Sequence, residues 1–180
     1  MTSRSPDFSL RVPEGDDRTR RVCDTCGFVD YVNPKIVAGS VVTDEAGRIL
    51  MCRRAIEPRR GWWTLPAGYL EQGEAVEAGA AREAFEEARA KIEIVDLLAV
   101  YSIPRISQVQ IFFRARLAEP GVSAGPESQE VAFFDWDDIP WDALAFPSVK
   151  WALEDWRARN VTPAPCAPAM RSQSETVKPY

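Results

Sequence analysis

The chain has 180 residues, of which 46% are hydrophobic, with a net charge of −5 and a pI near 4.9. That supplies one domain core with a small appendage, but not the basic footprint that a protein wrapping a nucleic-acid backbone needs. No apolar run approaches a membrane span, the first residues lack the apolar stretch of a secretory signal, so a cytoplasmic protein is expected, and the absence of histidine excludes Ser-His triads, histidine bases and histidine-containing metal sites.

Residues 1–20 are polar and read as a loop-rich arm. CDTCGFVDYVNPK (23–35) has the form of a zinc knuckle leading into a linker. IVAGSVVTDEAGRILMCRR (36–54) predicts two strands around a turn at Glu45–Gly47. GWWTLPAGY (61–69) is an aromatic connection punctuated by Pro66 and Gly68. Residues 75–88 predict a helix in which Val76, Ala80, Ala84 and Ala88 form an apolar stripe able to face a sheet.

IEIVDLLAVYSI (92–103) and QVQIFFRARL (108–117) are strand-like, with PRIS as the loop between them. GPESQEVAFFDWDDIP (125–140) reads as a loop and a short strand. FPSVKWALEDWRA (146–158) reads as a final amphipathic helix, packed down through Trp151 and Trp156. The proline-rich stretch from Val161 is expected to be a mobile tail. The organisation is thus an arm over 1–35, a main domain over 36–160 and a tail over 161–180. The order of strands and helices suits an α/β fold, a mixed sheet between helices.

The most informative stretch is GYLEQGEAVEAGAAREAFEEARA (68–90). Glu83, Glu86 and Glu87 lie three and four residues apart, so a helix sets them on one face. Such a face can be plain solvated surface. Alternatively, a hard divalent cation such as Mg²⁺ or Mn²⁺ relieves the repulsion between these carboxylates.

In spacing the stretch resembles the Nudix box, Gly-x5-Glu-x7-Arg-Glu-U-x-Glu-Glu-x-Gly-U, with U a bulky apolar residue. Gly68, Glu74, Arg82, Glu83, Glu86 and Glu87 fall in register, while Ala84, Arg89 and Ala90 depart from it. Arg89 stands where the glycine would cap the helix, so a differently bent exit is expected. The resemblance implies an α/β/α Nudix sandwich and a metal-dependent pyrophosphohydrolase. It implies Glu83, Glu86, Glu87 and the Gly68 carbonyl as metal ligands, Glu83 also as a candidate base, Arg82 as the residue orienting the glutamates, and Glu74 as structural. A base outside the box is implied at Glu130 of GPESQE or at Glu127, with Glu127 otherwise expected to touch the substrate, and each reads equally well as a solvated acid.

NPKIVAG (33–39), RRAIEPRRGWWTLPAGYLEQGE (53–74), GPESQE and LAFPS (144–148) extend the resemblance over residues 8–156. They are similar to a Nudix subgroup with a Cys-rich N-terminal segment, whose members act on FAD, ADP-ribose or NADH-type dinucleotides. FAD or ADP-ribose is the implied substrate, cut between its two phosphorus atoms. Arg53 or Arg54 could hold phosphate. Trp62, Trp63 or Tyr69 could stack a base or belong to the core, which is the preferred reading for Trp63. Tyr101, Ser102 and Arg105 could touch the leaving half. A non-catalytic sensor of ADP-ribose or FAD, an NADH pyrophosphatase and a nucleoside triphosphatase are the competing readings.

Cys23 and Cys26 are half of a four-ligand zinc site, and Cys52 and Cys166 have no CxxC partner. Members of the subgroup carry an earlier CxxC, which would fall near residues 1–5, where this chain has Met-Thr-Ser-Arg-Ser. Zinc held by one chain is therefore not expected. A reduced thiol pair, a disulfide or a site shared in a dimer stay open, and a homodimer is the expected assembly.

Overall fold

Residues 37–42 are apolar or small and buried, the signature of a strand covered on both faces. They belong to β4 (Lys35–Thr43) of a computed structural model that describes residues 7–161 and 168–172. The molecule divides into two compact units after Pro34.

The first unit is a three-stranded antiparallel sheet of β1 (Phe8–Arg11), β2 (Arg20–Cys23) and β3 (Val29–Asp30). The arm read as loop thus carries a strand. Phe8–Arg11 pairs along Arg20–Cys23, and Asp24 ties the pair by accepting from Ser9 Oγ at 2.7 Å and Arg11 Nη1 at 2.7 Å. The knuckle turn is closed by the Gly27 N–H donating to Cys23 O at 3.0 Å. Cys23 is buried, Cys26 exposed, and both are free thiols. Residues 1–5 and Cys166 lie outside the described residues.

In the second unit β5 (Ile49–Arg54), β6 (Trp63–Thr64), β7 (Ala67–Tyr69), β8 (Ile92–Ile103), β9 (Gln108–Leu117), β10 (Ser128–Phe134) and β11 (Ala169–Ser172) join β4 in a mixed sheet ordered β10-β5-β4-β9-β8-β11. β4 and β9 run parallel, whereas β8 pairs antiparallel with β9. β4 and β5 meet only at Thr43 and Ile49 and then diverge; β6 pairs with β5 and β7 with β4. The short strands therefore fill the split with the Trp63–Tyr69 connection.

Alternation sorts the core into two layers. Val41, Met51 and Phe112 point to the face covered by helix α2 (Pro147–Val161), where Val149 and Leu153 meet them. Val42, Leu50 and Phe113 point to the face of α1 (Val76–Ala88). The arrangement is an α/β/α sandwich. Ala80, Ala84 and Ala88 are fully buried, and their small size lets α1 lie close to the sheet.

Two expectations are corrected. Arg89 adopts the left-handed conformation itself (φ 51°), and the Ala90 N–H donates to Ala84 O at 3.2 Å, so the helix ends as a glycine would end it. Residues 169–172 of the expected mobile tail form β11, which adds parallel to β8.

The loop after β9 completes the helix end. The Ser123 N–H donates to Ala88 O at 3.0 Å and the Gly125 N–H to Glu87 O at 2.9 Å, satisfying carbonyls that a helix terminus leaves open. A Cβ on Gly125 would lie 1.7 Å from Glu86 O. Gly125→Ala is expected to lower stability by at least about 2 kcal/mol, read as a fall in Tm. An unchanged Tm would show that this packing does not constrain the loop.

Candidate active site

α1 carries the site because its spacing sends Arg82, Glu83, Glu86 and Glu87 toward the split in the sheet. Glu83 and Glu87 are 8% and 6% exposed. Arg82 organises them. Its Nε donates to Glu74 Oε1 at 2.8 Å and its Nη1 to Glu83 Oε1 at 2.7 Å and Glu86 Oε2 at 2.9 Å; Nη2 reaches Tyr69 O at 3.0 Å and Glu74 Oε2 at 3.1 Å. These five bonds match the five donors of a guanidinium. Glu74 also accepts from the Glu71 N–H at 3.1 Å, and its carboxyl is held below the usual range, chiefly by Arg82.

Gly68 lies against the acidic pair: a Cβ there would meet the Glu83 carboxylate at 2.3–2.4 Å. The adjoining Ala67 N–H donates to Glu87 Oε2 at 3.3 Å. Burial pushes the Glu83 carboxyl up, against the pull of Arg82. Burial, reinforced by the charge of Glu83, pushes Glu87 up to about 8. Among the described residues no three Cys, Asp or Glu side chains converge on one point; Glu86, 53% exposed at its side chain, is turned to Arg82. Glu83, Glu86 and Glu87 offer hard carboxylate oxygens on one helix face, and Arg82 neutralises only part of their charge, a donor set whose chemistry fits a magnesium-like ion.

These groups form one wall of an open cavity of about 990 Å³. Glu127 lines it, while its backbone O accepts from the Ala55 N–H at 2.7 Å and so anchors the loop. Arg54 lines it too, with Nε donating to Pro58 O at 2.8 Å and the guanidinium over the Phe146 ring at 5.1 Å. Tyr69, Arg105, Gln108 and Gln110 lie along the far wall.

Arg53, Trp62, Trp63, Tyr101, Ser102 and Glu130, all singled out in the sequence, do not line this cavity. Arg53 is paired with Glu130 at 3.5 Å, and its Nε donates to Gly61 O. The two are register partners between β5 and β10, so strand alternation turns both away from the side of Arg54, while Glu127, in the loop before β10, lines the cavity. Trp62 sits in a turn under Arg59, 4.6 Å from ring centroid to guanidinium. Tyr101 is fully buried and donates to Asp155 Oδ2 at 2.7 Å, anchoring α2 to β8. Trp63 packs edge-on against Phe134 in the core. The polar wall on β9 has a signal in the sequence. In QVQIFF, Gln108 and Gln110 share the strand phase of the core residue Phe112, and a polar pair in a buried phase marks a lined cavity.

The family model described as NUDIX domain matches residues 33–154, and one described as Nudix N-terminal matches residues 5–32. The chain is 31% identical over 134 residues to an ADP-ribose pyrophosphatase of Methanocaldococcus jannaschii, covering 72% of this chain and 78% of that protein. It is 30% identical over 128 residues to an NAD-capped RNA hydrolase NudC of Chromobacterium violaceum, covering 71% of this chain but 46% of that one, so it spans about half that relative's length. A solved NUDIX hydrolase from Nitrosomonas europaea superposes with a TM-score of 0.85 at 39% identity, covering 96% of this chain and 98% of that one.

The buried carboxylates make stability depend on pH. The folded state favours protonated Glu87, so its contribution is complete below the ordinary 4.5 and is lost as pH rises toward 8. In EDTA, wild-type Tm is expected to fall across this window more steeply than that of Glu87→Gln. Mg²⁺ is expected to flatten the wild-type curve, since a cation favours the ionised form. Parallel curves for the two proteins in EDTA would contradict the burial argument.

Proposed function

The chain belongs to the Nudix family, and from that membership we propose that it hydrolyses the diphosphate of a nucleoside diphosphate joined to a second moiety. ADP-ribose, giving AMP and ribose 5-phosphate, or FAD, giving AMP and FMN, is the substrate we propose. The observation that carries this reading is the pair of buried carboxylates, Glu83 and Glu87, on the wall of a cavity large enough for such a molecule. The name of the M. jannaschii relative supports ADP-ribose.

Glu83, Glu86, Glu87 and the Gly68 carbonyl would hold Mg²⁺ or Mn²⁺. Such an ion neutralises phosphate charge and acidifies a bound water. Arg82 holds the glutamates in place from behind. Arg54 offers the diphosphate a guanidinium positioned by Pro58 and Phe146. Glu127 Oε, on an anchored loop facing the cavity, takes the proton of the attacking water; Glu130 is paired with Arg53 instead. Among the described residues no helix is long and apolar enough to cross a membrane.

Glu86→Gln and Glu87→Gln are each expected to lower kcat at least 10²-fold with the fold intact. Glu127→Gln is expected to lower it roughly 10²- to 10⁴-fold, and Glu130→Gln less than about threefold. A larger loss in Glu130→Gln than in Glu127→Gln would reverse the assignment of the base. Substrate choice is read from kcat/KM. ADP-ribose or FAD is expected to exceed any nucleoside triphosphate, and a higher value for dGTP than for both would overturn the substrate class.

A further inference from the structure

The wall of the cavity along β7 and β9 carries a polar row that the hydrolytic machinery does not use. Tyr69 and Gln110 both pair in register with Val37, one from each side of β4. Side chains in such a row share a face of the sheet. Gln110 Nε2 donates to Gln108 Oε1 at 3.1 Å, and Gln108 Nε2 donates to the Tyr69 hydroxyl at 3.0 Å. The Lys35 ammonium lies over the Tyr69 ring, 5.0 Å from its centroid. Tyr69, Gln108 and Gln110 line the cavity and Lys35 does not. Lys35 thus covers one ring face, and the half-exposed tyrosine turns toward the cavity.

We propose that Tyr69, Gln108 and Gln110 form a subsite for the adenine of the substrate, with the base stacked on Tyr69 and its edge read by Gln110. This rests on the reading that the substrate is an adenine-containing nucleoside diphosphate. A sugar needs hydroxyl partners on all sides, whereas this lining combines a flat ring, the apolar Ile106, and an amide with a fixed direction. Donation from Gln110 Nε2 to Gln108 orients the amide and leaves Gln110 Oε1 and one N–H for a ligand. An acceptor beside a donor is the pattern that takes adenine in a bidentate contact. Gln108 holds Gln110 in that orientation, and the Tyr69 hydroxyl holds Gln108. Gln108 is therefore a positioning residue, while Tyr69 and Gln110 touch the base. Because ADP-ribose and FAD both carry adenine, the subsite serves either.

The test compares ADP-ribose with its hypoxanthine counterpart, which replaces the exocyclic amino donor by a carbonyl. Wild-type kcat/KM is expected to favour adenine roughly ten- to hundredfold. In Gln110→Ala the ratio is expected to fall within about twofold, through a raised KM for ADP-ribose with kcat changed less than about threefold. Tyr69→Leu is expected to raise KM about tenfold for both substrates, since stacking is indifferent to the base edge. Calorimetric binding of AMP and IMP gives a readout independent of hydrolysis. If neither diphosphate is cut but AMP is preferred in a Gln110-dependent way, the subsite stands and the proposed reaction fails. Equal wild-type values for the two bases, or a base preference undiminished in Gln110→Ala, overturns the subsite and leaves the reaction standing.

Discussion

The guanidinium of Arg82 is the interaction on which the site depends. It joins α1 to the chain entering it, through Glu74 and the Tyr69 carbonyl, and at the same time holds Glu83 and Glu86. A lysine could not substitute: it has three donors around one point, whereas the guanidinium spreads five over a plane. With every donor directed, the cation neutralises part of the acidic cluster and fixes side-chain directions along more than one turn of helix.

What Arg82 does not neutralise is the deeper part of the cluster. Glu87 is buried against the Ala67 amide and Glu83 against the Gly68 backbone. Their proximity exists because β4 and β5 separate after one paired row and let β7 reach across to α1. A side chain at position 68 would occupy the space of the Glu83 carboxylate. The same geometry pushes the Glu87 carboxyl well above its ordinary range, so the fold tolerates electrostatic strain at the candidate site.

The other half of the cavity follows from sheet register rather than from the helix. The β5–β10 pairing matches Arg53 with Glu130 beside a β-bulge and leaves Arg54 and the loop residue Glu127 to line the cavity. The β7–β4–β9 pairing brings Tyr69 and the two glutamines together from segments nearly forty residues apart. Glu127 is held there by two backbone attachments, to Ala55 on one side and, through Gly125, to the end of α1 on the other. Glu83, Glu87, Arg54 and Glu127 thus line one cavity because a single loop links the helix terminus to the edge strand.

By itself the sequence determined the helix over residues 75–88, its alanine stripe, the placement of its glutamates and the strands around it. These depend on local period, and a helix repeats its faces every three to four residues whatever surrounds it. Tertiary structure alone decided which candidate lines the cavity: Arg54 rather than its strand neighbour Arg53, the loop residue Glu127 rather than Glu130 on β10, and Tyr69 rather than Trp62. In a strand, a shift of one residue reverses every side chain, and the phase is set by the partner strand and its bulges. It also decided that Tyr101 anchors α2 and that residues 169–172 extend the sheet, because both depend on contacts with segments remote in sequence. Arg89 shows the same limit at a single residue: its side chain argues against a left-handed helix end, yet the bonds to Ala84 and Phe85 impose one.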